Sequence, residues 1–171
     1  MTDRVVGPLR EFRAPLHDGL RQLQLAAEAV GGAEPRVALA ALDAAVSFLS
    51  DHFVPVAKAE EYTFYIAVDG IIGAVGASQV MVAQHDSIAA MVRDLAQVIA
   101  AAHTDDDPAA YARYLLPLLY GLYAVIRAHL EAEDDVYLTL LDEALSESQV
   151  EMIVKNIGRI TAARAGHEAP V

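Results

Sequence analysis

The chain contains no cysteine, which removes disulfides, thiolate zinc sites, iron–sulfur ligation and cysteine nucleophiles together. Any metal it holds must be bound by histidine and carboxylate. Basic residues are scarce: 12 Lys and Arg stand against 24 Asp and Glu, for a formal net charge of -12. Without a basic stripe to offset it, that balance repels phosphates, so neither nucleic acid nor an anionic membrane surface is an expected partner. No run of about 18 apolar residues is free of charge, and the opening M-T-D-R-V-V-G-P lacks the apolar core of a secretory signal. The expectation is a soluble cytoplasmic protein. Neither G-x-S-x-G nor G-x-x-x-x-G-K occurs, no strand is expected that could carry a dinucleotide fingerprint, and the acidic runs lack the D-x-D-x-D-G order of a calcium loop.

What the chain does have is alanine and leucine at helical spacing, punctuated by a few glycines and prolines. A first helix is expected from about Pro8 to Val30, with Leu9, Phe12, Leu16, Leu20, Leu23, Ala27 and Val30 on one face, Pro15 as a kink or a late start, and Gly31-Gly32 as its end. A second begins near Glu34-Pro35 and carries Leu39, Leu42, Val46, Leu49, Phe53, Val56, Glu60, Phe64 and Ala67, bent at Pro55. The glycine-rich stretch from Gly70 to Gly76 separates it from a third, with Met81, His85, Ile88, Val92, Leu95 and Ile99. T-D-D-D-P at 104–108 reads as a helix start, with Asp107 as the cap. The fourth helix then runs to about Ala144, and S-E-S-Q opens a fifth from Ser146 to about Ala163. The fold class is therefore all-α: an up-down four-helix bundle with an additional C-terminal helix, one domain over residues 1–165, and a disordered tail at 166–171.

Ionisable groups on apolar stripes need a reason, because burying one without a partner costs several kcal/mol or forces it neutral. His85 interrupts the stripe of Met81, Ile88, Val92 and Leu95. His129 and Glu133 stand four apart, about 40° round one helix from each other, so both reach one point in the interior. Asp134 lies about 140° from His129 by the same geometry and points elsewhere. A weak internal repeat extends the set. H-D-G-L at 17–20 resembles H-D-S-I at 85–88, and V-A-K-A-E-E-Y-T-F at 56–64 aligns with H-L-E-A-E-D-D-V-Y at 129–137. Two such halves packed with approximate two-fold symmetry bring His17, Glu60, His85, His129 and Glu133 to a common centre, with Val56 in the place equivalent to His129.

At these residues, over roughly 9–145, the chain resembles the hemerythrin-like HHE cation-binding family. That family carries a histidine on the first helix, H-x-x-x-E on the second, one or two histidines on the third and H-x-x-x-E or H-x-x-x-x-D on the fourth. The resemblance implies a non-haem di-iron centre bridged by two carboxylates, which binds O2, NO or peroxide, or stores or senses iron. Carried over, Glu60 and Glu133 bridge, His85 and His129 hold one metal, and His17 holds the other. Val56 departs from the pattern, since an apolar side chain has no lone pair to give, and this weakens the second site and leaves a single metal open as an alternative. His52 is the nearest substitute, one turn before Val56. One of Tyr62, Tyr65, Tyr120, Tyr123 and Tyr137 could also supply a phenolate. A peroxidase- or catalase-like activity is compatible with such a centre. Two other readings stay open: haem held by paired histidines between helices, and a metal-free bundle with a vestigial site whose broad helical faces make a homodimer.

Overall fold

Helix α1 spans Gly7–Gly32 and starts with Pro8 in its first turn, where the missing N–H costs nothing. The N–H groups of Val5 and Val6, just ahead of it, donate to Asp142 Oδ1 at 2.9 and 3.1 Å. The helix continues through Pro15 without a break. Helix α2, Pro35–Ile72, is interrupted twice. Proline at 55 has no N–H, and its ring crowds the carbonyl of residue 51, so the expected bend takes the form of a π turn over Leu49–Phe53. A second interruption at Tyr62 and Thr63 separates the Val54–Glu61 segment from Phe64–Ile72. There the Thr63 hydroxyl donates to the Ala59 carbonyl at 2.8 Å.

Gly73, at a φ of 73°, ends α2 in the left-handed region that favours glycine. The connection that follows is organised by Asp69, whose carboxylate accepts the N–H of Gly76 at 2.8 Å and of Ser78 at 2.9 Å. Helix α3 is Gln79–Thr104. Helix α4, Pro108–Ala144, opens with a 3-10 turn at Pro108–Tyr111 and contains a second π turn at Glu133–Tyr137. Asp107 occupies the cap position before it but makes no side-chain cap hydrogen bond. Asp105 does the local work instead, accepting the Asp107 N–H at 2.9 Å and the Tyr111 hydroxyl at 3.0 Å. Helix α5, Glu147–Ala165, has the backward half of the expected capping box, with the Ser146 N–H donated to Gln149 Oε1 at 2.9 Å.

The structure is a computed structural model that describes residues 5–165; no strand occurs among them, and the tail expected from 166 lies outside them. Helix α1 packs on α2 and α4, α3 packs on the same two, and α5 covers α1 and the Val54–Glu61 segment of α2. The all-α bundle with an additional C-terminal helix is therefore what forms. At Gly19 the α1 backbone meets the Phe48 ring so closely that a Cβ would lie 1.9 Å from it. Helices α2 and α4 are long and apolar enough, by length and composition, to cross a membrane; each also carries a buried glutamate, Glu60 on one and Glu133 on the other.

The core is in two parts. One apolar cluster includes Leu16, Leu23, Ala57, Ile88, Ile126 and Leu130, and the other includes Leu9, Phe64, Met81 and Leu138. Between them each long helix contributes polar side chains to one buried layer: Arg13 from α1, Glu60 from α2, His85 from α3, and His129 with Glu133 from α4. Apolar residues one turn to either side keep this layer dry, so whatever charge it holds must be balanced within it.

Candidate metal centre

Each side chain of the layer sits in the phase of its helix's apolar stripe, which is why the fold turns it inward. His85 lies between Met81 and Ile88, and His129 between Ile126 and Leu130. The two rings meet with their Nε2 atoms 2.9 Å apart. Glu133 Oε2 is 3.4 Å from His129 Nε2, and one ligand atom from each of His85, His129 and Glu133 fits within 4.8 Å of the others.

The outer nitrogens decide what these inner nitrogens present. His85 Nδ1 is 3.1 Å from Glu61 Oε1, and His129 Nδ1 is 2.8 Å from Gln84 Oε1. Both partners are acceptors, so both Nδ1 atoms carry the ring proton, and in neutral imidazoles both Nε2 atoms then present bare lone pairs. Among the described residues, the hydroxyl facing them is that of Tyr65. Its hydroxyl donates to Glu133 Oε1 at 2.7 Å and lies 3.1 Å from His85 Nε2 and 3.4 Å from His129 Nε2. Two lone pairs and a carboxylate thus converge with one proton between them, a donor set that suits a cation. Two Nε2 atoms 2.9 Å apart are near enough for both residues to hold one ion.

On the other side of Glu133 the arrangement is different. Arg13, 1% exposed, donates from Nη1 to Glu60 Oε1 and from Nη2 to Glu133 Oε2, the latter at 2.5 Å. Its Nε lies 3.8 Å from Asp134 Oδ1 without a hydrogen-bond partner, and its guanidinium carbon stands 5.6 Å from the centre of the Phe64 ring. Burial works against the Arg13 charge, but Glu60 and Glu133 outweigh it and raise its pKa above the ordinary value. Burial also opposes ionisation of Glu133, yet the Arg13 charge holds its carboxyl well below the usual range. Burial, followed by the charge on Glu133, pushes Glu60 up to about 8 against the pull of Arg13. Burial, followed by the neighbouring His129, depresses His85 to about 3. Burial, followed by Glu133, raises Tyr65 far above its ordinary value, so its hydroxyl keeps its proton.

Of the residues singled out in the sequence, the structure brings Glu60, His85, His129 and Glu133 into the layer and leaves two outside it. His17 is 39% exposed, with its Nε2 3.0 Å from Asp134 Oδ2. On α1 it is Arg13, one turn earlier, that faces the carboxylates. His52 is exposed on the π turn of α2, its ring 6.3 Å from that of Phe48. Val56 is half-buried between the two apolar clusters. Among the tyrosines, Tyr65 is the one in the layer, whereas Tyr62 and Tyr120 are exposed.

The sequence pattern does not single out Arg13, Glu61 or Gln84 as members of the site. For Arg13 a signal existed: Leu9, Leu16, Leu20, Leu23 and Ala27 follow four-and-three spacing with a gap that position 13 fills. Glu61 and Gln84 left none, since each reads as a solvated helix residue until the facing histidine is placed.

The family model of the hemerythrin HHE cation-binding domain matches residues 14–141. No curated protein and no solved structure matches the chain.

Proposed function

Because the chain belongs to the hemerythrin HHE cation-binding family, we propose that it binds non-haem iron at His85, His129 and Glu133 and uses that ion to handle or sense O2, NO or peroxide. The observation that carries this reading is the facing pair of Nε2 lone pairs 2.9 Å apart, with both outer nitrogens already committed to acceptors. Imidazole with carboxylate is a ligand set that suits iron. Bound there, iron would supply Lewis-acid and one-electron chemistry, and three side-chain donors leave positions for a small diatomic ligand or peroxide.

The remaining work belongs to the chain. Glu61 and Gln84 hold the imidazoles in the tautomer and orientation that direct Nε2 inward. Tyr65 keeps its proton on Oη and donates it to Glu133 Oε1, which fixes that carboxylate beside the histidines. The apolar clusters above and below exclude water, so that donor and the charge of Glu133 act in a low-dielectric setting. A haem between His85 and His129 is not favoured, because nitrogens 2.9 Å apart in a packed layer leave no room for a macrocycle between them.

The test is anaerobic loading with ferrous iron, followed by metal analysis and optical spectra before and after exposure to NO, O2 or peroxide. Bound iron whose spectrum responds to one of these, and which is lost in the His85→Asn/His129→Asn double variant, is the expected result. Iron content equal to that of the double variant sinks the reading and favours the metal-free bundle. A Soret band would favour haem.

A further inference from the structure

The resemblance implies two metals bridged by Glu60 and Glu133, and the second position does not fit one. The guanidinium of Arg13 already lies between these carboxylates, one amino group on Glu60 and the other on Glu133. We propose that Arg13 is a resident cation standing where a second metal would, so that the centre is mononuclear by construction. The inference rests on the reading of His85, His129 and Glu133 as the metal site.

Three features of the layer agree with it. First, the space between the two carboxylates is spanned: Glu60 Oε1 and Glu133 Oε2 both accept from Arg13, whose guanidinium lies where a bridged second ion would, while each Glu133 oxygen keeps a second lone pair for the histidine side. Second, the side chains that would complete such a site are elsewhere or unsuitable. His17 closes α1 onto α4 through Asp134, and Val56 has no donor atom. Third, the charge is placed as an ion's would be. Arg13 is fully buried, touches both carboxylates and carries a permanent charge, so a divalent ion brought to Glu60 would meet a fixed positive group with no water to screen it. A guanidinium fork between two buried acidic groups supplies a counter-charge there without any metal.

A guanidinium differs from a metal in having no redox chemistry and no exchangeable ligand. The two halves of the layer therefore have separate tasks. Arg13 with Glu60 sets the charge and position of Glu133, and the histidine side is left to bind the ion.

The test is the number of ions bound per chain, by titration with cobaltous ion read from its visible spectrum and by metal analysis after ferrous loading. The variants are Val56→His, Arg13→Gln and Arg13→Gln/Val56→His, with helical content checked for each. Val56→His keeps Arg13 in place and is expected to bind the same number as the unaltered chain. The double variant removes the resident cation and adds an imidazole, and it is expected to bind one more. A gain of one ion in Val56→His alone overturns the proposal, as does a folded double variant with no gain. Should the Arg13 variants fail to fold, Val56→His decides by itself, an unchanged count supporting the proposal. The baseline count speaks to the other question: an unaltered chain that binds no ion defeats the reading of the histidine site, whereas the difference between variants tests Arg13.

Discussion

Glu133 faces two different partners at once: its Oε2 accepts from Arg13 Nη2 at 2.5 Å and lies 3.4 Å from His129 Nε2. The Arg13–Glu133 pair therefore links the internal cation to the histidine site, and disturbing either side should be felt at the other.

Truncating Arg13 leaves the buried charge of Glu133 without its counter-charge, next to the buried Glu60. Removing one partner of a buried ion pair typically costs about 3–5 kcal/mol. Arg13→Ala should lower the stability of the metal-free protein by about that much in urea denaturation, and Glu60→Gln should cost less, since burial and Glu133 already favour a proton on Glu60. Equal losses in the two variants would contradict this assignment of charge.

Glu61 and Gln84 meet the histidines at their outer nitrogens, Glu61 also accepting from Lys58, and they determine which way the inner lone pairs point. Glu61→Ala or Gln84→Ala should weaken metal affinity by about 10–100-fold with little change in helical content. Competition titration against a chelator of known affinity measures the effect, and unchanged affinity in both variants would rule out an orienting role.

Tyr65 supplies the hydroxyl that Glu133 Oε1 accepts at 2.7 Å. Tyr65→Phe leaves a buried carboxylate oxygen without its donor, at a cost of about 1–3 kcal/mol. The expected signature is a lower urea midpoint in the metal-free protein, with the aromatic packing of Phe64 and Tyr137 around the ring kept.

His85 makes one defined contribution to the pH dependence of the metal-free protein. Its pKa falls from 6.5 to about 3 on folding because the ring is buried and faces His129. Between those values the unfolded chain takes up a proton that the folded chain refuses. The His85 contribution is therefore fully present above pH 6.5 and is lost as pH falls through about 3. Glu60, held up to about 8, titrates with the opposite sign over part of that window, so the His85 contribution is read as the difference in denaturation midpoint between the unaltered chain and His85→Asn, which should grow smaller as pH drops. A difference that stays constant with pH would show that His85 does not titrate in this way.

Much of this was legible in the one-dimensional pattern. His85 and the His129–Glu133 pair stood out because each interrupts an apolar stripe, and a helix that buries such a stripe must bury what lies within it. Glu60 was legible for the same reason. The internal repeat, by contrast, pointed at His17, and the structure turns that side chain to the rim. Residues 13 and 17 are one turn apart on α1, residue 13 within its apolar stripe and residue 17 at the stripe's edge. Which of them enters the layer depends on how α1 is rotated against α2 and α4, and that rotation is set by contacts such as Gly19 on Phe48, far apart in sequence. Arg13 does not stand out in the sequence because a long cationic side chain on a helix is ordinarily solvated; the carboxylates of two other helices give it a reason to be buried.

Helical periodicity and the absence of cysteine were enough to determine an all-α bundle whose metal chemistry, if any, is that of histidine and carboxylate. A helix's spacing dictates which of its own residues share a face, and that information is local. What stands between Glu60 and Glu133 was decided only by the tertiary structure, because it depends on which side chain a third helix delivers into a space defined by the other two. There the packing delivers the guanidinium of Arg13.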